Sequence, residues 1–473
     1  MVMRKTKIVC TIGPASESPE MIKSLIRAGM NVARLNFSHG SMDHHLEQLR
    51  RLRSCAEELG ANLGVLLDIQ GPKIRLGHIK GGKVTVNPGD KYILTTEFCE
   101  GDQQRAYVQY ERLNVDLGPG NTIYIDDGLL EFKVTEVKGK DVHCEVVIGG
   151  ELSSRKGVSL PGVSVDLPPL TEADIEHIKF GVKHGVDFIA ASFVRKGSHV
   201  LAVKDIIKEA GGDIPVIAKI ESDEGLQNID EIIAAADGIM VARGDLGVEI
   251  PPEEVPVAQK MMIRKCNEAG KPVITATQML DSMIRNPRAT RAEIADVANA
   301  IFDGTDCVML SGETAVGKYP VKAVELMSAI ARRIERSLDY SALLDDRRAT
   351  TRKTISDSIS LSTCQTAQDL QAKAILCSTQ SGATARNIAK YKPRSPILAI
   401  CPNPSVVRQL ALSWGVYPIL VEPADNIEDM IDLAVEAALS QEFVQSGDIV
   451  TITAGVKTDV PGSTNLLQVY EIQ

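Results

Sequence analysis

The sequence predicts an α/β protein built on an eight-stranded (β/α)8 barrel, with a small β-barrel inserted as a lid and a second α/β sheet after it. Three observations carry that expectation. Short apolar, β-branched runs recur and end in polar or charged residues. Helix-like segments with apolar residues three and four apart separate most of them, and one long stretch drops this rhythm for period-two alternation dense in Gly and Asp. An apolar run of this kind reads as a strand buried on both faces, and polar chemistry at its C-terminal end is where barrel enzymes keep their active sites. The chain is therefore read as an enzyme.

The eight barrel strands, in order, are expected at Ile8–Ile12, Val32–Asn36, Val65–Asp68, Phe188–Ser192, Val216–Glu221, Gly238–Asp245, Val273–Gln278 and Cys307–Ser311. Helical spacing lies between them, as in Met21–Ala28, stopped by Gly29, and in Val200–Ile207. A doubly wound open sheet is the alternative reading of the same pattern.

After Asp68 the alternation gives way to Gly71-Pro72-Lys73 and then to Lys83–Asp90, Thr122–Gly128, Phe132–Val137 and Val142–Val147; the helical pattern returns at Leu170. Dense turn signals between short alternating runs mean antiparallel strands in a small barrel. Inserted between barrel strand three and its helix, this unit is placed over the active-site end, as a lid. The expected domains are a barrel of residues 1–71 and 168–340, a lid of residues 72–167, and an α/β domain of residues 350–473. The charged, non-periodic stretch Arg336–Thr354 reads as the linker, and the last domain has strands at Ala374–Ser378, Ile397–Ile400, Tyr417–Val421 and Ile449–Thr453.

Composition excludes several classes. A net charge of -10 without Lys/Arg clusters argues against nucleic acid and anionic membranes as partners. No apolar stretch is long enough for a bilayer, and Met1–Lys7 leads into the first strand without a signal-peptide core, so the expected location is the cytoplasm. Nine cysteines with no Cys-x-x-Cys pair lie mostly in apolar runs and read as reduced core thiols.

The chemistry gathers at the ends of strands five and six. Glu221 and Asp245 are placed to meet on one divalent cation, for which Mg2+ takes one or two carboxylates plus waters and substrate oxygens. Lys219, two residues before Glu221, points the same way; an ammonium beside a carboxylate-held metal suits an anionic transition state such as a transferring phosphoryl group or an enolate. A buried ion-pair network is the plain structural alternative. Arg34 adds a second fixed cation, Gly244–Gly247 offers amides at a helix start, and Thr275 and Thr277 offer hydroxyls, although a threonine on a strand is more often only a strand threonine. In the last domain, the turn Ser378-Thr379-Gln380-Ser381-Gly382-Ala383-Thr384 has the hydroxyls and amides of a phosphate nest, or of a Ser/Thr-rich helix cap.

Met240–Pro251, Val273–Met283, Ala33–Gly40, Lys156–Gly162 and Ser311–Ala315 closely resemble pyruvate kinases of the bacterial type, and the resemblance runs in register from Lys5 to the C-terminus. It implies phosphoryl transfer from phosphoenolpyruvate to ADP, a capping lid, an effector site in the last domain and a homotetramer. It also implies that Lys219 stabilises the transferring phosphoryl and the enolate, and that Glu221 and Asp245 hold Mg2+ or Mn2+. Arg34 would hold the phosphate, and the amides of Gly244 and Asp245 the carboxylate. Thr277 would lie near the step that protonates the enolate, with Glu313 in the network around it. Nucleotide contacts would fall on Asn36, Phe37, Ser38, His39, Arg75 and Lys156. The loop Ser378–Thr384 and the segment Ala454–Thr464 match where the family binds phosphorylated regulators; spacing does not choose among fructose bisphosphate, ribose 5-phosphate, other sugar phosphates and AMP.

One departure stands out. Where many members read Asp-Thr-Lys-Gly-Pro-Glu and bind K+ through residues matching Asn36, Ser38, Asp68 and the carbonyl at Ile69, this chain reads Asp68-Ile69-Gln70-Gly71-Pro72-Lys73. An ammonium at the edge of that pocket is expected to do locally what K+ does, so the chain looks like a K+-independent member; the plain alternative is a solvated Lys73 beyond the pocket, with K+ still held by Asn36, Ser38, Asp68 and the Ile69 carbonyl. A different barrel enzyme with a Mg2+-bound enolate, a mutase or an aldolase, has no reason for the lid motif around Lys156. A non-catalytic sugar-phosphate sensor on this fold should have lost Lys219 or a metal carboxylate, and has not.

Overall fold

A computed structural model describes residues 3–349, 354–424, 426–455 and 464–473. Eight parallel strands close into a barrel: Lys7–Thr11, Val32–Asn36, Gly64–Asp68, Phe188–Ala191, Val216–Ile220, Gly238–Ala242, Val273–Ala276 and Cys307–Leu310. Closure comes from strand one pairing strand eight, with Lys7 opposite Cys307, and strand two, with Val9 opposite Val32. Every strand alternates. Val9, Val32, Leu66, Phe188, Ala190, Ile217, Met240, Ile274 and Met309 share one cluster inside the barrel, whereas Ile8, Leu35, Val65, Ile189, Ala218, Ile239 and Val308 pack against the helices outside. Because side chains repeat every two residues, the inward series continues upward from Val32 to Arg34 and Asn36, from Leu66 to Asp68, and from Ile217 to Lys219. An apolar barrel interior thus ends in a charged mouth.

Helix ends follow local chemistry. Ser18 caps Pro19–Ala28 by accepting from the Met21 amide, and Gly29 ends it at φ 125°. Thr171 and Asp174 form a reciprocal capping box at the start of Glu172–His184. Asp174 also accepts from the Gly71 amide at 3.1 Å, so the chain leaving for the lid is tied to the helix that follows the lid. Gly71 has φ +70°, and a Cβ there would lie 2.9 Å from Ser192 Cβ. Only glycine fits that position.

The lid pairs its strands as a six-stranded sheet and a two-stranded ribbon around one core containing Tyr92, Leu94, Phe132, Val142 and Cys144. The turn between Thr122–Ile125 and Leu130–Lys138 holds Asp126, Asp127 and Gly128 in succession at positive φ. The C-terminal sheet runs Val416–Leu420, Ile397–Cys401, Ala374–Ser378, Ile449–Gly455 and Thr464–Glu471, the last strand antiparallel and the others parallel. That last strand is absent from the sequence expectation because its side chains are half-buried and carry no clear period.

The expected linker is not irregular: Tyr340–Ala349 is a helix. One apolar anchor, Leu344, suffices to bury it, and Tyr340 hydrogen-bonds Lys5 at 3.1 Å. A helix held by one buried residue leaves no apolar stripe to read. The segment Leu410–Leu412 plugs the bottom of the barrel, where Ala411 and Leu412 join the interior cluster and Cys307 Sγ lies 3.1 Å from the Leu412 carbonyl. All cysteines are free thiols, and all but Cys99 are buried. Among the described residues no helix is long and apolar enough to cross a membrane.

Candidate active site

At the C-terminal end of the barrel, Lys219 sits among acceptors. Its Nζ lies 2.6 Å from Ser192 Oγ, 3.0 Å from Glu221 Oε1 and 3.2 Å from Asp68 Oδ1. Burial alone would lower this ammonium, but Asp68 and Glu221 prevail and raise it, so the buried lysine stays charged. Arg34 gives Nε to Asp68 Oδ2 at 2.6 Å and Nη1 to Thr11 Oγ1 at 2.9 Å. Burial would raise the Asp68 carboxyl, yet Lys219 and Arg34 together hold it below its ordinary range. Two cations thus share one carboxylate and are fixed with their remaining capacity toward the mouth.

Glu221 follows strand five and accepts from the Phe193 amide at 2.6 Å. Asp245 lies in the short helix Arg243–Glu249 that follows strand six. Burial pushes the Glu221 carboxyl up, Lys219 opposes this, and Asp245 adds to it. Carboxylates that repel each other in this way have capacity for another cation, and two of them with waters and substrate oxygens form an Mg2+ donor set. Among the described residues no group of three or more His, Cys, Asp and Glu side chains gathers as a metal site, so a cation here would rest on two carboxylates completed by waters and substrate.

Thr277 lies one residue beyond strand seven at φ 66°, followed by Gln278 at φ 54°. A β-branched residue in the left-handed region is uncommon, and such backbone collects at functional sites. Its hydroxyl accepts from the Gly244 amide at 2.8 Å and donates to the Ala276 carbonyl at 2.6 Å, so an amide expected to face a ligand is satisfied internally. Thr275 does not join the mouth. Its parity is opposite to that of Ile274 and Ala276, and its hydroxyl bonds Thr305 at 2.9 Å among buried groups. Glu313 is buried, accepts from the Leu280 amide at 3.0 Å and the Ser311 amide at 2.7 Å, and so clips the segment after strand seven to strand eight.

The expected nucleotide residues divide. Asn36 accepts from the Ser38 amide at 3.2 Å, and the His39 carbonyl bonds His45 at 2.8 Å, which shapes the loop after strand two. Phe37 turns inward instead, buried and stacking on His45 with ring centroids 4.0 Å apart, and its amide donates to the Asp68 carbonyl at 3.0 Å. From the lid, Arg75 donates to the Arg155 carbonyl at 3.2 Å, and Lys156 pairs with Asp126 at 2.9 Å.

Lys73 lies elsewhere than expected. Its Nζ is 3.1 Å from Asp245 Oδ1 and 3.5 Å from Asp127 Oδ1 of the lid, not against Asn36, Ser38 or Asp68. Asp68 is already matched by Arg34 and Lys219, whereas Asp245 and Asp127 are not, so the ammonium goes to the stronger field. The Ile69 carbonyl of the same pocket accepts from Ser192 Oγ at 2.7 Å. Ser192 and Phe193, the latter at φ 53°, were not singled out from sequence. Neither was Arg243, which reaches Asp296 at 2.7 Å and the Thr277 carbonyl at 2.8 Å. The available signal was their position, immediately after strands four and six.

In the C-terminal sheet domain, Ser378 ends a strand, Thr379 is buried, and Gly382 at φ 79° starts the helix Ala383–Ala389. The Ser381 carbonyl accepts from Arg386 at 2.8 Å, and Thr384 shares a 2.8 Å hydrogen bond with Thr464. Gln380 lies on the same loop, its carbonyl 3.8 Å from Cys401 Sγ. Of the expected segment Ala454–Thr464, residues 456–463 lie outside the described residues.

The family model for the pyruvate kinase barrel domain matches residues 3–324, and that for the pyruvate kinase alpha/beta domain matches residues 357–470. A pyruvate kinase of Staphylococcus epidermidis is 50% identical over 471 residues, covering 99% of this chain and 80% of that protein. One of Sporosarcina psychrophila is 50% identical over 476 residues, covering 99% and 81%. A crystal structure of a pyruvate kinase from Cryptosporidium parvum superposes with a TM-score of 0.96 at 40% identity, covering 99% of this chain and 96% of that one.

Proposed function

The chain belongs to the pyruvate kinase family, and from that premise we propose which of its side chains carry the family's reaction. The reaction moves a phosphoryl group from phosphoenolpyruvate to ADP, giving ATP and pyruvate. The bond from the enol oxygen to phosphorus breaks, a bond to the ADP terminal oxygen forms, and the enolate left behind takes a proton at its methylene carbon. Positioning and charge neutralisation carry most of such catalysis.

The observation that carries the assignment is Lys219, a buried ammonium fixed by Ser192, Glu221 and Asp68 at the barrel mouth. We assign it to the transferring phosphoryl and the enolate oxygen. Arg34, with Nε and Nη1 spent on Asp68 and Thr11, keeps Nη2 for the phosphate. The Gly244 and Asp245 amides take the carboxylate, which requires the Gly244 amide to leave Thr277; the freed hydroxyl then stands near the carbon to be protonated. Glu313 holds the backbone that carries Thr277 and acts as a positioning residue. Glu221 and Asp245 are the carboxylates we assign to the divalent cation that the family requires. Held there, that cation supplies positive charge to the phosphoryl oxygens. Asn36, Ser38 and His39, with Arg75 and Lys156 from the lid, bind the nucleotide, and the lid excludes water as it closes.

We further infer three domains, residues 1–71 with 168–340, 72–167 and 350–473, joined in a cytoplasmic homotetramer. A sugar phosphate or AMP is proposed to bind at Thr379–Thr384, and turnover is proposed to be independent of K+. A coupled assay of ADP-dependent pyruvate formation tests the catalytic assignment: wild type turns over and Lys219→Met does not. Turnover by that variant near the wild-type rate would remove Lys219 from the mechanism.

A further inference from the structure

Lys73 stands on the irregular connection that leads out to the lid, and its side chain crosses from there to Asp245 at the barrel mouth. The ammonium meets two carboxylates that belong to different bodies: Asp245 of the barrel at 3.1 Å and Asp127 of the lid turn at 3.5 Å. Its course is confined. The ring of Phe193 lies 5.7 Å below the ammonium, and its Cε passes 2.7 Å from where a Cβ on Gly157 would stand, so the glycine of the returning hinge strand leaves room for it. The side chain is only 20% exposed. Asp127, by contrast, is 74% exposed and sits in the lid turn at φ 53°.

We propose that Lys73 is a resident cation which holds the metal-binding carboxylate Asp245 and the lid aspartate Asp127 together, so that loading the divalent ion displaces it and releases the lid turn. The inference rests on the reading of Asp245 as a metal ligand. Its physical basis is competition. An ammonium and a divalent cation repel at contact distance, and one carboxylate satisfies the former only at the expense of the latter. With the ammonium gone from Asp245, its weaker and more solvated partner Asp127 does not hold it, because an exposed ion pair contributes little. Metal loading and lid freedom thereby become one equilibrium, and each biases the other equally. Gly157 is part of the device: any larger residue there would push the lysine out of its channel.

The test is direct Mn2+ binding to the full chain by electron paramagnetic resonance, without substrates, together with hydrogen exchange at Ile125–Gly128. Lys73→Met is expected to bind Mn2+ about tenfold more tightly than wild type, and Lys73→Arg to keep the wild-type affinity. In wild type, Mn2+ should speed exchange at Ile125–Gly128; in Lys73→Met, exchange there should be fast before any metal is added. Unchanged or weaker Mn2+ binding by Lys73→Met overturns the proposal, as does a lid turn whose exchange ignores the metal. Asp245→Asn separates the premise: if that variant keeps wild-type Mn2+ affinity, the metal reading itself has failed, whatever Lys73 does.

Discussion

Lys219 Nζ and Arg34 Nε reach opposite oxygens of the same Asp68 carboxylate, at 3.2 Å from Oδ1 and 2.6 Å from Oδ2. Two cations that would repel are held at the barrel mouth by an anion buried beneath them. Removing Asp68 should therefore misplace both. Asp68→Asn is expected to lower kcat by roughly 10²-fold or more, the scale of losing one well-aimed charge in a dry site. The phosphoenolpyruvate KM should rise with it, because Arg34 is freed as well. A variant with unchanged kcat would show that the two cations hold their places without it.

Potassium offers a second measurement. The unmodified chain should reach near-full activity in tetramethylammonium buffer. Lys73→Glu replaces the ammonium by the carboxylate that K+-binding members carry at this position and should make turnover depend on added K+. The control is KCl against tetramethylammonium chloride at matched ionic strength; strong activation of the unmodified chain by KCl would refute the expectation.

The lid can be questioned through its hinge. Gly71→Ala forces a left-handed φ on a residue with a Cβ and drives that carbon against Ser192, which positions Lys219. Strain of this sort costs on the order of 1–3 kcal/mol. Thermal unfolding and kcat should both fall further than in Gly81→Ala, which shares the left-handed backbone at φ +71° but whose added Cβ meets nothing within 4 Å. Equal behaviour of the two variants would mean that the hinge does not bear on Lys219.

Stability should rise with pH across the neutral range. Burial pushes Lys7 down to about 7 and Lys392 down to about 8, whereas a lysine in the unfolded chain titrates near ~10.4. Between these values the unfolded chain binds protons that the folded chain does not, so unfolding becomes harder as pH rises, by at most ~1.4 kcal/mol per pH unit for each lysine. Burial pushes the Cys307 thiol the other way, and its effect opposes the rise above about pH 8.5, where thiols of the unfolded chain ionise. Urea midpoints from pH 7 to 8.5 should therefore climb, and Lys7→Met should flatten the slope.

What sequence made legible was whatever repeats. Alternation along each strand fixed which side chains face the mouth, and Arg34, Asp68, Lys219 and Glu221 gather there for that reason. Thr275 is an ordinary strand threonine, one residue out of phase with the side chains that face the mouth. Contacts made between units left no local trace. The partner of Lys73 depends on where the lid comes down, and Ser192 matters only because Lys219 and the Ile69 carbonyl converge on it. The helix Tyr340–Ala349 and the strand Thr464–Glu471 bury too little to leave a period.

The plug beneath the barrel has a consequence for how the chain comes to be made. Strand one is fixed by residues far downstream: the Lys7 amide bonds the Asp306 carbonyl at 2.9 Å, the Lys5 carbonyl accepts from Gly415 at 2.9 Å, and the Arg4 carbonyl accepts from Tyr417 at 2.8 Å. At ~5–20 residues per second, a ribosome needs roughly 20–80 s to pass from the first of these segments to the last. For most of that interval, until strand eight at Cys307–Leu310 has been made, the strand Lys7–Thr11 has an unpaired edge, apolar on both faces and open to association with its neighbours. A chaperone that binds extended apolar segments would find its target at the front of the molecule, and would lose it when strand eight pairs with strand one.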